Sequence, residues 1–452
     1  MTDSVRQFVL RLIEKKGRLP DGVDLDSFNY IDSGYVDSIG IMLFVVEIES
    51  EFDIEISETD MESLEFRTVG GLLSIISRKI ASKGKTMLDL DEVLRSWNQI
   101  SPEVRQLIDA FAFPEGAGRR YLLGRNEHSA ALSKVIEVDG FVDDFAEPGA
   151  VWNGKPVVKG TDVPSHGIVV NCSMSISPVS AASRLAGLNV AGVLKFSDLC
   201  KALPDRVRLP DFVLQTRQDL MQNQARWKAL REYLADDHSK RVLDDLLGYR
   251  LTGDYRSMKS YTVRFKDQYF EDFCGLGSGE IFVDAGGYDG DTTEEFCRRC
   301  PSYGKVFLFE PSSNNIARAR DRLSGYRSIE FIQLGLSDTV GILWFNPDEG
   351  SASSVSESGS CQIDVTTLDQ EIEGKVTFIK MDLEGWELKA LEGSRRHILE
   401  DHPKLAIAVY HHSSDFWRIF EFVISLRQDY DVFLRHYTEG WSETVMFFVP
   451  RQ

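Results

Sequence analysis

The residues best suited to bind a charged ligand form a glycine-rich turn after an apolar stretch. Residues 281–283 read Ile-Phe-Val and lead to Asp284, Gly286, Gly287 and Gly290. Glycine allows backbone conformations that other residues avoid, and the start of the helix that follows offers free amide groups. The spacing is acid-x-Gly-x-x-x-Gly, which differs from the dinucleotide pattern Gly-x-Gly-x-x-Gly. The turn is therefore predicted to hold a ligand through its backbone.

Two more carboxylates end predicted strands where nucleosides bind. Glu310 ends the strand 305–310, the position from which doubly wound folds bind ribose hydroxyls. Asp338 follows the strand 329–334 and can accept a hydrogen bond from an adenine amino group. These strand ends fit S-adenosyl-L-methionine better than a nicotinamide cofactor. The predicted cofactor-binding residues are Asp284, Gly286, Gly287, Gly290, Glu310 and Asp338.

A third group of residues could remove the proton of a hydroxyl that accepts a methyl group. Methyl transfer needs an aligned nucleophile, and an alcohol is barely ionised at neutral pH. The fourth and fifth strands of the predicted sheet end at Asp382 and at His411-His412. A general base or a metal ion is therefore expected there, although carboxylates in such a turn also serve as caps and cofactor contacts.

The region from about residue 240 to residue 452 resembles the FkbM family of S-adenosylmethionine-dependent methyltransferases. The motifs are D-x-G-x-x-x-G, F-E-P (Phe309-Glu-Pro311), L-S-D (Leu336-Ser-Asp338), T-L-D (Thr367-Leu-Asp369) and K-x-D-x-E-G-x-E (380–387). The resemblance implies a class I α/β fold, a seven-stranded mixed sheet whose last strands are antiparallel, and O-methylation. Tyr288 and Asp289 depart from the commoner Ala-Asn form of the turn. The resemblance therefore indicates the type of substrate less clearly than it indicates the cofactor.

The same resemblance assigns the catalytic residues. A branch of the family carries Tyr-His followed by Asp and Trp, a pattern matched by Tyr410, His411, Asp415 and Trp417. His411 is accordingly predicted to be the general base, with Asp382 orienting it and His436 able to replace it. No metal is predicted in this interpretation. In the alternative, Asp382, Glu384 and His411 hold a divalent cation.

One serine near the N-terminus lies at a predicted helix start within an acidic stretch. Asp37 can cap this helix, so the Ser38 hydroxyl stands where the helix dipole favours an added phosphate. Acidic residues without any Lys or Arg follow as far as residue 66. An ordinary cap with a solvated acidic face is the alternative for the Asp-Ser-Ile triplet alone. The predicted buried face of the helix consists of Ile39, Met42, Leu43 and Val46.

Residues 1–82 as a whole resemble acyl or peptidyl carrier proteins, including the stretch Thr68-Val-Gly-Gly-Leu-Leu73 that opens a last helix. The resemblance implies a four-helix bundle with 4'-phosphopantetheine attached to Ser38. The implied partners are a phosphopantetheinyl transferase, a carrier-loading synthase or adenylating enzyme, and an acyl or aminoacyl thioester substrate.

The predicted domain order has two further segments between these regions. Residues 83–100 form a linker and helix, and residues 101–240 form a Rossmann-like α/β and helical domain of unassigned role. The methyltransferase domain then covers residues 241–452.

Composition limits the partners and the compartment. A net charge of -20 and a pI near 4.9 oppose binding to nucleic acid, whose phosphates attract basic proteins. No stretch approaches the run of about 18 apolar residues that spans a membrane, so no membrane association is expected. No secretory signal is visible at the N-terminus, and a cytoplasmic location is expected.

Together these features predict a methyltransferase that acts on the cargo of its own carrier. It would O-methylate a hydroxyl of an acyl or aminoacyl group tethered to Ser38, in polyketide or nonribosomal-peptide biosynthesis. One alternative is a free or separately carried substrate, with the carrier as a docking module. Another is a noncatalytic carrier scaffold, against which the intact Asp284, Gly286, Gly290 and Glu310 argue.

Overall fold

The chain divides into two compact units, Met1–Met87 and Leu88–Gln452. The division falls within the segment predicted to be a linker and helix. The computed structural model describes residues 2–15, 24–34, 38–52, 54, 56, 60–61, 63, 65–82, 90–113, 120–345 and 361–451.

The first unit is helical in its described part. It contains α1 (Thr2–Glu14), α2 (Ser38–Phe52), a 3-10 turn (Glu65–Arg67) and α3 (Val69–Ser82). Apolar residues recur at helical spacing and meet in one core, to which α1 contributes Val5, Val9, Leu12 and Ile13. The buried Tyr30 hydroxyl donates a hydrogen bond to the carbonyl oxygen of Phe66 and so joins the loop before α2 to the turn before α3.

The buried face of α2 differs from the predicted one. Val46 is predicted to be buried, but 56% of it is exposed. Phe44, Val45 and Ile48 lie in the core instead. The stretch 39–46 is apolar almost throughout, so helical spacing alone allows two different faces and cannot choose between them. Packing against α1 and α3 makes the choice.

Part of the predicted attachment site lies outside the described residues. Helix α2 begins at Ser38, where the sequence predicts a helix start. The parts of the chain that are not described include Asp37, residues 83–89 of the predicted linker and helix, and the side chains of Ser38, Ile39, Met42 and Leu43.

The second unit begins with two helices and a six-stranded sheet. The helices are α4 (Leu90–Trp97) and α5 (Pro102–Ala112), and the Ser101 hydroxyl caps α5 by accepting a 3.3 Å hydrogen bond from the Val104 amide. The strands are β1 (Arg120–Leu123), β2 (Gly140–Val142), β3 (Val151–Trp152), β4 (Lys155–Val158), β5 (Ile168–Asn171) and β6 (Gly192–Lys195). Their order is β3-β4-β2-β1-β5-β6, and every pair is parallel except β3 with β4. Between them lie α6 (Glu127–Val135) and α7 (Pro178–Ala186), and α8 (Phe196–Ala202) follows β6.

Two long helices, α9 (Asp211–Tyr233) and α10 (Asp237–Thr252), come next. The hydroxyl of Tyr249 on α10 donates a 2.8 Å hydrogen bond to the carbonyl oxygen of Met174, which follows β5. The neighbouring Arg250 is 1% exposed and donates to the carbonyl oxygens of Trp441 and Tyr410 at 2.9 and 3.1 Å. Helix α10 therefore contacts loops of both parts of this unit, and the predicted domain boundary at residue 240 lies inside it.

The remainder of the unit is an α/β fold with a seven-stranded mixed sheet. The strands of this sheet are β7 (Ile281–Ala285), β8 (Lys305–Phe309), β9 (Ile329–Ile332), β13 (Phe378–Met381), β14 (Lys404–Ala408), β15 (Tyr430–His436) and β16 (Thr444–Pro450). A small separate sheet contains β10 (Gly335–Leu336), β11 (Gly341–Phe345) and β12 (Cys361–Thr366). The helices are α11 (Asp291–Arg299), α12 (Ser313–Arg322), α13 (Leu368–Glu371), α14 (Glu387–Glu392), α15 (Arg395–Glu400) and α16 (Asp415–Leu426).

The strand order of the large sheet is β15-β16-β14-β13-β7-β8-β9. Six of its strands run in one direction, whereas β16 runs antiparallel to both β14 and β15, as the methyltransferase resemblance implies. The central strands are buried almost throughout, which explains why they read as continuous apolar runs. Their carboxyl ends bring the glycine turn, Glu310, Asp382 and His411 to one edge. None of the helices in the described part of the chain has the length and apolar character needed to cross a bilayer.

Candidate active site

The turn between β7 and α11 is held against two neighbouring strands. Gly286 and Gly290 have positive φ angles of 76° and 85°, which favour glycine. A Cβ atom at position 286 would overlap with the carbonyl oxygen of Asp382 at the end of β13. On the other side, the amides of Gly286 and Gly287 both donate 3.0 Å hydrogen bonds to the carbonyl oxygen of Phe309. Close approach of the Asp382 backbone thus accounts for Gly286, and the side chains of Leu308 and Leu323 lie where Cβ atoms on Gly287 and Gly290 would be.

Asp284 lies beneath this turn and is fully buried. Its Oδ1 atom is 3.0 Å from Lys380 Nζ, and its Oδ2 atom accepts a 2.7 Å hydrogen bond from the Thr293 hydroxyl. Lys380 also donates to the carbonyl oxygen of Gly286 at 2.8 Å. Burial disfavours the ammonium group, but the carboxylates of Asp284 and Asp382 outweigh this and raise the pKa of Lys380. The buried ion pair therefore fixes the shape of the turn.

Glu310 follows β8 and lies beside the same turn. Its two carboxylate oxygens accept hydrogen bonds from the amides of Tyr288 at 3.1 Å and Ser312 at 2.9 Å. Burial raises the pKa of Glu310, although these hydrogen bonds oppose the rise. The Oε1 atom also accepts a 3.2 Å hydrogen bond from the Asn315 side chain, whereas Oε2 keeps a second lone pair with which Glu310 could accept a ribose hydroxyl. The glycine turn and this acceptor fit the nucleoside part of S-adenosylmethionine.

Asp338 lies beyond β10, in a more exposed position. Its side chain is 31% exposed, and Oδ2 accepts a 2.8 Å hydrogen bond from Lys389 of α14. This hydrogen bond lowers the pKa of Asp338. The predicted adenine contact at Asp338 would therefore be made by a carboxylate that already has a lysine partner.

Asp382 and His411 meet at the ends of the adjacent parallel strands β13 and β14. The distance from His411 Nε2 to Asp382 Oδ1 is 3.0 Å. The Tyr269 hydroxyl donates a 2.7 Å hydrogen bond to Asp382 Oδ2, so both carboxylate oxygens are engaged. The Asp382 amide also donates to the carbonyl oxygen of Ala285 at 3.1 Å, which places the pair directly beside the glycine turn.

Glu387, the first residue of α14, is a site residue that sequence reasoning missed. Its side chain is fully buried, and its Oε1 atom accepts a 2.6 Å hydrogen bond from the Leu383 amide and lies 3.4 Å from His411 Nε2. Burial raises the pKa of Glu387 to about 7. Asp382, Glu387 and His411 each offer one atom to a group in which all atoms lie within 4.8 Å of one another. The signal was present, because Glu387 is the last acid of the K-x-D-x-E-G-x-E motif.

Glu384 and Glu443 complete the acidic surroundings of His411. Glu384 has an exposed side chain, and its Oε2 atom is 3.6 Å from His411 Nδ1. The group of three that could hold a metal ion includes Glu387, whereas the predicted alternative included Glu384. The Glu443 carboxylate accepts a 2.5 Å hydrogen bond from the Gln268 side chain, and burial raises its pKa to about 7.

The protonation of His411 follows from these neighbours. Burial disfavours the imidazolium form, but the carboxylates of Glu387, Asp382 and Glu384 outweigh it and raise the pKa of His411 to about 10. In the absence of another cation, the imidazole therefore carries its proton at neutral pH. Burial alone would raise the pKa of Asp382, but hydrogen bonding to His411 and its charge lower it.

His436 lies at the end of β15 with both ring nitrogens facing threonines. Its Nδ1 atom is 2.9 Å from the Thr444 hydroxyl, and its Nε2 atom is 3.3 Å from the Thr438 hydroxyl. Burial lowers the pKa of His436 to about 3. The structure does not place this ring against Asp382 as it does His411, and the role of His436 as a substitute base stays a prediction.

Comparisons with known proteins recover the two predicted regions. A family model described as Phosphopantetheine attachment site matches residues 7–76, and one described as Methyltransferase FkbM domain matches residues 284–437. The search of curated proteins gives no match.

Among solved structures, the chain is similar to the methyltransferase FkbM from Methylobacillus flagellatus KT. The identity is 26% and the TM-score 0.61, over 79% of this chain and 96% of that one. An rRNA methylase from Streptococcus thermophilus is 20% identical, with a TM-score of 0.28 over 40% of this chain and 93% of the other. Aeropyrum pernix fibrillarin with bound S-adenosyl-L-methionine is 12% identical, with a TM-score of 0.28 over 41% and 76%.

The similarity to the Methylobacillus protein extends beyond the catalytic domain. The match to the methyltransferase family model is confined to residues 284–437, whereas the structural alignment with the Methylobacillus protein covers 79% of this chain. The alignment must therefore include residues outside 284–437. Taken with the site geometry, the two family matches define the chain: it joins a phosphopantetheine-attachment domain (residues 7–76) to a methyltransferase domain of the FkbM family (residues 284–437).

Proposed function

We propose that this chain is an S-adenosylmethionine-dependent O-methyltransferase that acts on cargo carried by its own N-terminal domain. The methyl acceptor is a hydroxyl of an acyl or aminoacyl group on the phosphopantetheine of Ser38, in polyketide or nonribosomal-peptide biosynthesis. Fusion of a carrier to the methyltransferase supports this proposal. A tether by a short flexible linker gives an effective concentration of about millimolar, provided that the arm reaches the site.

The residues proposed to hold the cofactor surround the end of β7. Gly286, Gly287 and Gly290 form the turn, Glu310 accepts the ribose hydroxyls, and Asp338 lies on the adenine side. Asp284 acts through Lys380 to keep the turn in shape. The chemistry that S-adenosylmethionine supplies when bound is an electrophilic methyl group.

The observation that carries the O-methylation proposal is the 3.0 Å contact between Asp382 and His411 beside the glycine turn. A hydroxyl must lose its proton as it is methylated, and general bases work best with a pKa near the working pH. The pKa of Glu387, which burial raises to about 7, lies at neutral pH, whereas His411, with a pKa of about 10, already carries a proton there. We assign the uptake of the proton to the coupled group of Asp382, His411 and Glu387 rather than to one atom.

The decisive experiment uses the full chain. A phosphopantetheinyl transferase loads Ser38 with a hydroxyacyl arm, isotopically labelled S-adenosylmethionine is added, and mass spectrometry locates the methyl group. We expect the label on the hydroxyl of the tethered acyl group.

The matched control is Ser38→Ala with the same acyl group offered as a free thioester. We expect much slower methylation, because the tether is lost while the methyltransferase domain is unchanged. Equal rates for the free thioester in this variant and for the tethered acyl group in the wild type would favour a docking role of the carrier. No methylation of any hydroxyl substrate would reject the proposal.

A further inference from the structure

Among the described residues, one oxygen of a buried carboxylate in the active site has no hydrogen-bond donor. Glu387 is 0% exposed, and among the described residues its Oε2 atom has no hydrogen-bond partner. Its Oε1 atom faces His411 Nε2 at 3.4 Å, and that nitrogen is also 3.0 Å from Asp382 Oδ1. One N–H group cannot point at both carboxylates. The amides of Leu383 and Gly385 donate to Oε1 at 2.6 and 3.3 Å, but a buried carboxylate oxygen without a partner is costly, so Oε2 calls for a further cation.

Each of the three residues also has a further polar partner that orients it. The Tyr269 hydroxyl donates to Asp382 Oδ2 at 2.7 Å and leaves Oδ1 facing His411. The Leu383 amide holds Glu387 Oε1 at 2.6 Å. Glu384 Oε2 lies 3.6 Å from His411 Nδ1 and can attract a proton to that nitrogen, which leaves Nε2 with a free lone pair. Partners of this kind, which fix the orientation and tautomer of the ligands, are characteristic of metal sites.

We propose that Asp382, Glu387 and His411 bind a divalent cation, with Tyr269, Leu383 and Glu384 as the partners that orient them. The ligand atoms of one six-coordinate ion with bonds of about 2.1 Å lie about 3 Å apart. The distances of 3.0 and 3.4 Å around His411 Nε2 agree with this spacing. Two carboxylates and one imidazole form a set that suits Mn²⁺, and Fe²⁺ and Zn²⁺ also accept imidazole.

The role of the cation rests on the proposed function, whereas its binding does not. A hydroxyl bound to a divalent cation loses its proton at lower pH, and that proton passes to water. The three residues would then act as ligands and would not need to accept the proton themselves. The cation also fixes the position of the hydroxyl oxygen beside the glycine turn.

The test measures Mn²⁺ binding by electron paramagnetic resonance on the full chain, freed of metal by a chelator and without cofactor or substrate. We expect one bound Mn²⁺ per chain and a dissociation constant at least about tenfold higher in Glu387→Gln, which keeps the shape of the side chain but removes its charge. Glu400→Gln, the same change on an exposed residue of α15, should bind as the wild type does. Glu384→Gln should weaken binding less than Glu387→Gln.

A wild-type chain that binds no Mn²⁺ in stoichiometric amounts, or a Glu387→Gln variant that binds it as tightly as the wild type, would overturn the proposal. Circular dichroism checks that each variant is folded. If Glu387→Gln is not, His411→Asn is judged by the same criterion. Methyl transfer is assayed separately: transfer that survives complete chelation counts against the cation alone, and absent transfer in a chain that binds Mn²⁺ counts against the proposed function alone.

Discussion

The hydroxyl of Tyr269 donates a 2.7 Å hydrogen bond to Oδ2 of Asp382, a residue 113 positions further along the chain. Tyr269 precedes β7 and is almost fully buried, so it holds the carboxylate from the side opposite His411. Together with the Tyr410 hydroxyl, which donates to Oδ1 at 3.4 Å, this contact orients the Asp382 carboxylate towards the imidazole.

Replacing Tyr269 by Phe should therefore lower turnover while leaving the fold intact. A hydrogen bond to a charged group contributes about 1.5 to 3 kcal/mol, so a loss of about tenfold or more in kcat is expected. Cofactor affinity, measured by calorimetry, should not change. The matched control is Tyr261→Phe, which removes a 3.1 Å hydrogen bond to Asp245 outside the site. A Tyr269→Phe enzyme as fast as Tyr261→Phe would mean that Asp382 is oriented by other groups.

Replacing His411 by Ala should separate cofactor binding from catalysis. We expect turnover to fall by about 10² to 10⁴, the usual loss when general acid–base help is removed, with the affinity for S-adenosylmethionine unchanged. Steady-state kinetics and calorimetry provide the two measurements. His166→Ala, on an exposed histidine, is the control. Near-normal turnover in His411→Ala would move the site of proton removal away from this residue.

Glu310→Ala tests the ribose contact. Loss of a charge-assisted hydrogen-bond acceptor should weaken binding of S-adenosylmethionine by about 1 to 3 kcal/mol in calorimetry. Glu330→Ala removes an exposed glutamate on the neighbouring strand β9 and should leave the affinity unchanged. The prediction fails if both variants bind the cofactor equally well.

Asp236 links stability to pH. It caps α10 by accepting a 2.6 Å hydrogen bond from the Ser239 amide, and it pairs with Arg435 at 2.7 Å. Burial tends to raise the pKa of Asp236, but Arg435 outweighs it and lowers the pKa from 3.8 to about 2. Because the folded-state pKa is depressed, the stabilisation is complete above pH 3.8 and is lost as the pH falls towards 2.

Asp236→Asn should accordingly lower the free energy of urea unfolding at pH 6, and the difference from the wild type should shrink when the pH falls from 4 to 3. The exposed neighbour Asp237, changed to Asn, is the control and should show a smaller effect. A difference for Asp236→Asn that stays constant down to pH 3 would contradict the ion-pair explanation.

Ser38 should be the single site of phosphopantetheine attachment. Incubation with coenzyme A and a phosphopantetheinyl transferase should raise the intact mass by one arm, and Ser38→Ala should abolish the rise. Ser74→Ala, on the exposed face of α3, should still be modified. A mass increase that persists in Ser38→Ala would reject the assignment of this serine.

The strand ends could be predicted because buried parallel strands are continuous apolar runs that stop at a polar residue. That rule places Glu310, Asp382 and His411 at one edge without any structure. It does not place Tyr269, whose contact with Asp382 depends on how the segment before β7 folds over the sheet. Contacts between residues this far apart leave no local pattern in a single sequence.

Glu387 shows a second limit of sequence patterns. It lies five positions after Asp382 in a quoted motif, but the spacing does not reveal that the turn folds back towards His411. The turn depends on positive φ angles of 53° at Glu384 and 92° at Gly385. A Cβ atom on Gly385 would overlap with the ring of His412. In α2 the opposite problem arises, because an almost wholly apolar run leaves the buried face undecided.

Helix α10 determines which parts of this protein can be exchanged by recombination or by design. Its Tyr249 donates a hydrogen bond to the loop after β5. Its Arg250 donates hydrogen bonds to the loop after β14 and to the loop before β16. A gene cut at residue 240 would divide this helix and separate Tyr249 from Met174, the residue to which its hydroxyl donates. The segment to transfer as one piece is therefore the whole stretch from α4 to β16. The six-stranded sheet must be transferred together with the seven-stranded sheet that carries the candidate active site.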